Sequence, residues 1–170
     1  MPIQRANSEL AAIAWLKAQE NLPTNAIGTT LPHVGPKSAS GPTPPTWAST
    51  GFIQVMVTGA NKSGRNHPYR APVITAHCWA VNPNKQTPPW GMACDLAEEL
   101  WAALLVEGNG LENLSLPVTG APRVRVLQAW GIQEPKRIPW GFPSGQGSFI
   151  NPGNTAHYTV DFQLAWAELP

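Results

Sequence analysis

The closing segment, Ala156 to Leu169, alternates without a break: Tyr158, Val160, Phe162, Leu164 and Trp166 fall on one side of an extended chain, His157, Thr159, Asp161, Gln163 and Ala165 on the other. Successive side chains of a strand point to opposite faces, so this period demands a strand with one face in a core. Such a strand needs neighbours. Thr50 to Gly59 sets Phe52, Gln54, Met56 and Thr58 against Ile53, Val55 and Val57. Ala71 to Val81 sets Val73, Thr75, His77, Trp79 and Val81 against Ile74, Ala76, Cys78 and Ala80, and the basic turn Ala60 to Pro68 joins the two as an antiparallel pair. Arg123 to Ile132 reads as the remaining strand.

Two helices are predicted. Asn7 or Ser8 caps the first, over Ser8 to Glu20, with Leu10, Ile13, Ala14 and Lys17 on one side and Pro23 as its stop. The second, Met92 to Glu107, carries an apolar stripe of Ala93, Leu96, Ala97, Leu100, Trp101 and Leu104, and Gly108-Asn109-Gly110 ends it. Asp95, Glu98 and Glu99 occupy its other side, two of them in the first turns, where the helix dipole favours acids. The expected fold is α+β: an antiparallel sheet of about four strands, two helices packed on one face, and long Pro/Gly-rich loops. The 170 residues make one domain, with extended loops or arms at about 21–49 and 133–154. Nineteen prolines and 15 glycines without a period exclude collagen and a helical bundle.

Charge narrows the function classes. A net charge of +1 is too small for a chain whose main partner is nucleic acid. The longest apolar runs, such as Leu100 to Val106, fall far short of the roughly 20 residues of a membrane span. Met1-Pro2-Ile3-Gln4-Arg5 lacks the apolar core of a secretory signal, and Cys78 with Cys94 makes no disulfide framework, so a reducing intracellular origin is expected.

Catalytic patterns such as G-x-S-x-G, the P-loop, H-E-x-x-H and C-x-x-C are missing. His77 and Cys78 are strand neighbours and face opposite ways. Cys94 is read as a small buried hydrophobe rather than a thiolate activated by the helix dipole. His67, His77 and the cysteines lack the close spacing of a metal site. His33 and His157 stand alone, in a loop and at a solvent-facing strand position. The expectation is no catalysis, no metal and no cofactor.

Eight tryptophans are unusual for this length, and Trp47, Trp90 and Trp140 lie in Pro/Gly-rich surroundings. With Phe142 they are candidate anchors for subunit or partner contacts, where Trp is enriched. From Asn21 to Cys94 there is no Asp or Glu, while Lys62, Arg65 and Arg70 fall there; Asp95, Glu98 and Glu99 then follow. That polarity is ordinary patchiness, or complementarity between a basic loop on one copy and an acidic helix on the next, or a basic loop beside DNA phosphates in a lumen.

The order of these parts resembles a known family. The opening helix, the Pro-rich linker and the hairpin ending in Arg70-Ala71-Pro72-Val73-Ile74-Thr75-Ala76-His77-Cys78-Trp79-Ala80-Val81 come first. The helix Ala93-Cys94-Asp95-Leu96-Ala97-Glu98-Glu99-Leu100-Trp101-Ala102-Ala103-Leu104 and the strand His157-Tyr158-Thr159-Val160-Asp161-Phe162-Gln163-Leu164 follow. Over residues 8 to 169 this is similar to the tail terminator (tail completion) proteins of long-tailed bacteriophages of the siphovirus type, especially those of actinobacterial phages. The resemblance rests on the order of elements and a soft helix pattern, and the loops at 28–49 and 133–154 are longer than the family needs. It implies a virion protein, made in the host bacterial cytoplasm, that assembles as a homohexameric ring on the head-proximal end of the tail. The ring would cap the major tail tube protein, end tube polymerisation and present a docking surface to the head-side stopper or connector, without catalysis or membrane contact. The alternatives are another head-tail joint protein, a head completion stopper or adaptor, and an enzyme or small-ligand module using Cys94 or His77.

Overall fold

The computed structural model describes residues 7–32, 46–59, 69–84, 87–139 and 154–169. Its elements run α1 (Ser8–Lys17), β1 (Ile27–Gly28), β2 (Phe52–Gly59), β3 (Val73–Val81), α2 (Trp90–Leu105), β4 (Leu111–Leu114), β5 (Val124–Arg137) and β6 (Thr155–Glu168). The fold is α+β, but the four-stranded antiparallel sheet is corrected to a mixed sheet of six strands in the order β1-β2-β3-β6-β5-β4. β1 pairs parallel to β2 through Ile27 and Gly28, and the other pairings are antiparallel.

The C-terminal strand lies in the interior of the sheet, in register with β3 from Thr155 to Gln163 and with β5 from Tyr158 to Glu168. Its core face packs Val160, Phe162, Leu164 and Trp166 with Ile53, Val55, Ile74, Ala76 and Cys78 from β2 and β3. Both helices complete this one core, α1 through residues 11–16 and α2 through Leu96, Ala97, Leu100 and Leu104.

Laid flat, six strands at roughly 4.8 Å spacing would be about 24 Å wide, more than twice the diameter of a helix. Yet α1 touches β1 at one edge and β4 at the other. The sheet therefore curls around α1, which is why Ala11, Ala12, Ile13, Ala14, Trp15 and Leu16 are all buried instead of one side alone. Asn7 caps the helix, its side-chain oxygen accepting from the Leu10 N–H at 2.8 Å, and the helix ends at Lys17, short of the expected Glu20.

Other boundaries shift for local reasons. α2 opens at Trp90, two residues before the expected start, so its first turn contains no acid and the expected help from the dipole is absent. β5 runs through Pro135 to Arg137, into the stretch expected to be loop; the proline sits at a register shift between Gln133 and Lys136, where a missing N–H costs no regular pairing. Within the expected arm at 21–49, Leu22, Ala26, Ile27, Leu31 and Trp47 are buried, so these described parts belong to the body of the fold.

Asn109 ties the core together. Its amide donates to the carbonyls of Ala103, Leu104 and Ala129 at 3.2, 3.4 and 2.8 Å, and its side-chain oxygen accepts from the Ala129 N–H at 2.9 Å. Its own carbonyl accepts from the Trp15 indole at 2.9 Å. One side chain thus satisfies the end of α2 and the β5 backbone at Ala129, just beyond the end of the β4–β5 ladder.

Candidate functional site

The face of the sheet away from the helices carries a polar and aromatic strip across β2, β3 and β6. Strand register sets it: Phe52, Trp79 and His157 form one row, Gln54, His77 and Thr159 the next, and Met56, Thr75 and Asp161 a third. His157 lies against Trp79 with ring centroids 3.8 Å apart and planes 9° from parallel. The Trp79 indole donates to Gln54 Oε1 at 3.2 Å, and Gln54 donates to the Thr29 carbonyl at 3.2 Å. Thr75 donates to Asp161 at 2.6 Å. Trp47, Phe52, Trp79, Val81, Ala26 and Leu31 form a second small core beside this strip.

His157 is therefore not solvent-facing as expected; it is 7% exposed, because Trp79 covers it. Its Nε2 meets Nδ1 of His77 at 2.9 Å, a pairing that no sequence spacing reveals. Its Nδ1 is buried without a partner among the described residues. A neutral ring with its hydrogen on Nε2, donating to His77, leaves only a lone pair unsatisfied, whereas the other tautomer would strand an N–H. Burial holds His77 below the usual imidazole range, with Asp161 pulling the other way; burial and His77 push His157 down to about 3. Paired and stacked, the two rings tie β3 to β6 on this face.

A second cluster lies on the helix side. Trp90, half-buried, receives the Arg137 guanidinium at 3.7 Å from its ring centroid and meets Tyr158 edge-on at 6.2 Å. Partial burial, with Cys94 beside it, raises the Tyr158 phenol above the usual range. Cys94 is half-buried and Cys78 fully buried.

The predicted contact residues part company. Trp47 is 2% exposed and packs on Phe52, so its indole is spent within the chain's own fold, while Trp90 keeps part of its surface. Trp140, Phe142, Lys62 and Arg65 lie outside the described residues. Arg70 is exposed, 5.1 Å above the Trp166 ring, at the foot of the β2–β3 hairpin. Asp95, Glu98 and Glu99 are exposed together on α2 and hold no salt bridge among the described residues.

Among the described residues the sheet also leaves edge open. β1 covers β2 only at Ile53 and Gln54; beyond it the Val57 N–H is capped at 3.3 Å by the Glu9 carboxylate, and Met56 and Val57 are 39% and 41% exposed. On the opposite side β5 runs past its last pairing with β4 at Val126; Asn109 meets this edge at Ala129, and Leu127 and Ile132 on the same strand are exposed. Sequence reasoning missed both edges, which follow from the shortness of β1 and β4.

Among the described residues no three His, Cys, Asp or Glu side chains gather as a metal site, and no helix is long and apolar enough to cross a membrane. Comparison with known proteins finds no family model that matches the chain and no significant match to a curated protein.

Proposed function

We propose that this chain is a virion structural protein of a long-tailed phage: a ring-forming, non-enzymatic tail terminator. The ring caps the tail tube, stops its growth and docks the head-side connector. The observation that carries this reading is the pair of sheet edges, on β2 and on β5, that the described residues leave unfinished, each strand bearing exposed apolar side chains. An exposed edge is a liability in a free monomer and an asset in a protein sandwiched between two assemblies. The resemblance in element order supports the same reading. His77 spends its Nδ1 on His157 and stacks beside Trp79, contacts that suit packing within the sheet face rather than catalysis.

Deleting the gene in its parent phage and imaging the lysate by negative-stain electron microscopy tests the reading. Overlong tubes unattached to filled heads are expected. Tails of normal length beside unjoined heads would move the protein to the head side as a stopper or adaptor, and intact virions would overturn a structural role altogether.

A further inference from the structure

Between the turn at residues 21–23 and the first half of α2 lies an open cleft of about 540 Å3, floored by Leu22, Pro23, Met92 and Leu96, with Asp95 and Glu99 at its mouth. The two acids are four residues apart on one helix and share a side, so their charges act on the same volume. Neither has a salt bridge among the described residues.

We propose that this cleft receives the basic segment 60–68 of a second copy of the chain, with Lys62 and Arg65 opposite Asp95 and Glu99 and their aliphatic stems on the apolar floor. Charge complementarity is the first argument: segment 60–68 contains two cations and no acid, within a stretch from Asn21 to Cys94 free of Asp and Glu. Reach is the second. The segment departs from Gly59 and returns by Tyr69, whereas the cleft lies at the other end of β2, where a Cβ on Gly51 would come within 2.9 Å of Leu96 Cδ2. β2 spans about 24 Å at ~3.4 Å per residue. A loop of this length that returns to its own hairpin extends at most about 15 Å. The chain therefore cannot fill its own cleft this way, and a neighbour can.

A donor at one end of the hairpin and an acceptor at the other make the contact head-to-tail, and such contacts close into rings when the rotation between copies permits. The contact runs along the strands and leaves both open sheet edges free for partners on either side. The inference rests on the proposed ring only for closure, since two copies suffice for the contact itself.

Sedimentation velocity in low salt, with the full chain and two charge-reversed variants, tests it. Wild type is expected to self-associate. Lys62→Glu/Arg65→Glu and Asp95→Lys/Glu99→Lys should each weaken association by about tenfold or more. An equimolar mixture should restore it, because every interface then pairs an acidic loop with a basic cleft or the native pair. Restoration also shows that both variants are folded. A wild type that stays monomeric throughout, variants that associate like wild type, or a mixture without rescue would overturn the contact; the first result is what an occupant from the chain's own segment 33–45, with Lys37, would give. The gene deletion is read independently, so failure here and failure of the terminator reading are distinguishable.

Discussion

His157 lies flat on Trp79 at 3.8 Å between ring centroids, and both side chains are at least nine-tenths buried on the sheet face that no helix covers. The unfolded chain takes up a proton on each imidazole as pH falls through about 6.5. The folded chain resists, because burial and the neighbouring His77 hold His157 down to about 3. Stability from this pair is therefore complete above about pH 6.5 and is lost as pH falls towards the folded value. Thermal melts from pH 7 to 4 should show a fall in Tm that is shallower in His157→Phe, which keeps a ring on Trp79 but cannot titrate. Parallel slopes would show that His157 is not held neutral in the fold.

Asn109 carries a larger share of stability than its position after a helix suggests. Asn109→Ala removes four side-chain hydrogen bonds at a buried site and leaves the Ala129 N–H and carbonyl without their partner. The expected loss is about 2–4 kcal/mol. Asn109→Asp should also destabilise, because it turns the donor that faces the carbonyls of Ala103, Leu104 and Ala129 into an acceptor. Urea denaturation of the three proteins measures both losses.

The long strands were legible because each has a core face that reads through its alternation. β6 was clearest, since Val160, Phe162, Leu164 and Trp166 all enter one core. β1 and β4, of two and four residues, are too short to show a period, and β4 is interrupted by Asn113 at a φ of 61°. Without them the sheet looked smaller and flatter, and α1 looked like a helix with one buried side. Ala11, Ala12 and Ala14 hide the difference, because alanine fits a buried or an exposed helix position alike. The face assigned to His157 was right, and its exposure was not: alternation reports direction, while burial depends on Trp79, brought alongside by strand register. The acids of α2 were recognised from composition alone, but the cleft beside them depends on a turn some 70 residues earlier in the chain.

The two cysteines should separate cleanly. Cys78 is fully buried, and burial pushes its thiol up to about 12, so it has neither access nor thiolate at neutral pH. Cys94 is half-buried on α2. Iodoacetamide treatment of the native protein followed by mass spectrometry should modify Cys94 alone, and Cys78 should react only after denaturation. Rapid native labelling of Cys78 would contradict its place in the core.

Gly131 and Trp101 test the packing of α2 against the sheet. A Cβ added at Gly131 would overlap the six-membered ring of Trp101, so the helix can approach β5 here only because the strand offers no side chain. Gly131→Ala should destabilise the domain by about 1–3 kcal/mol through overpacking. Trp101→Leu removes the obstructing ring and should itself cost stability, because the indole packs against the main core. In the double variant the new methyl group finds the space left by the ring, so the losses should fall short of their sum by about 0.5–3 kcal/mol. A double-mutant cycle by urea denaturation gives that coupling directly. A coupling near zero would mean that the strand relieves the overlap by moving and that Trp101 does not set the distance between α2 and β5.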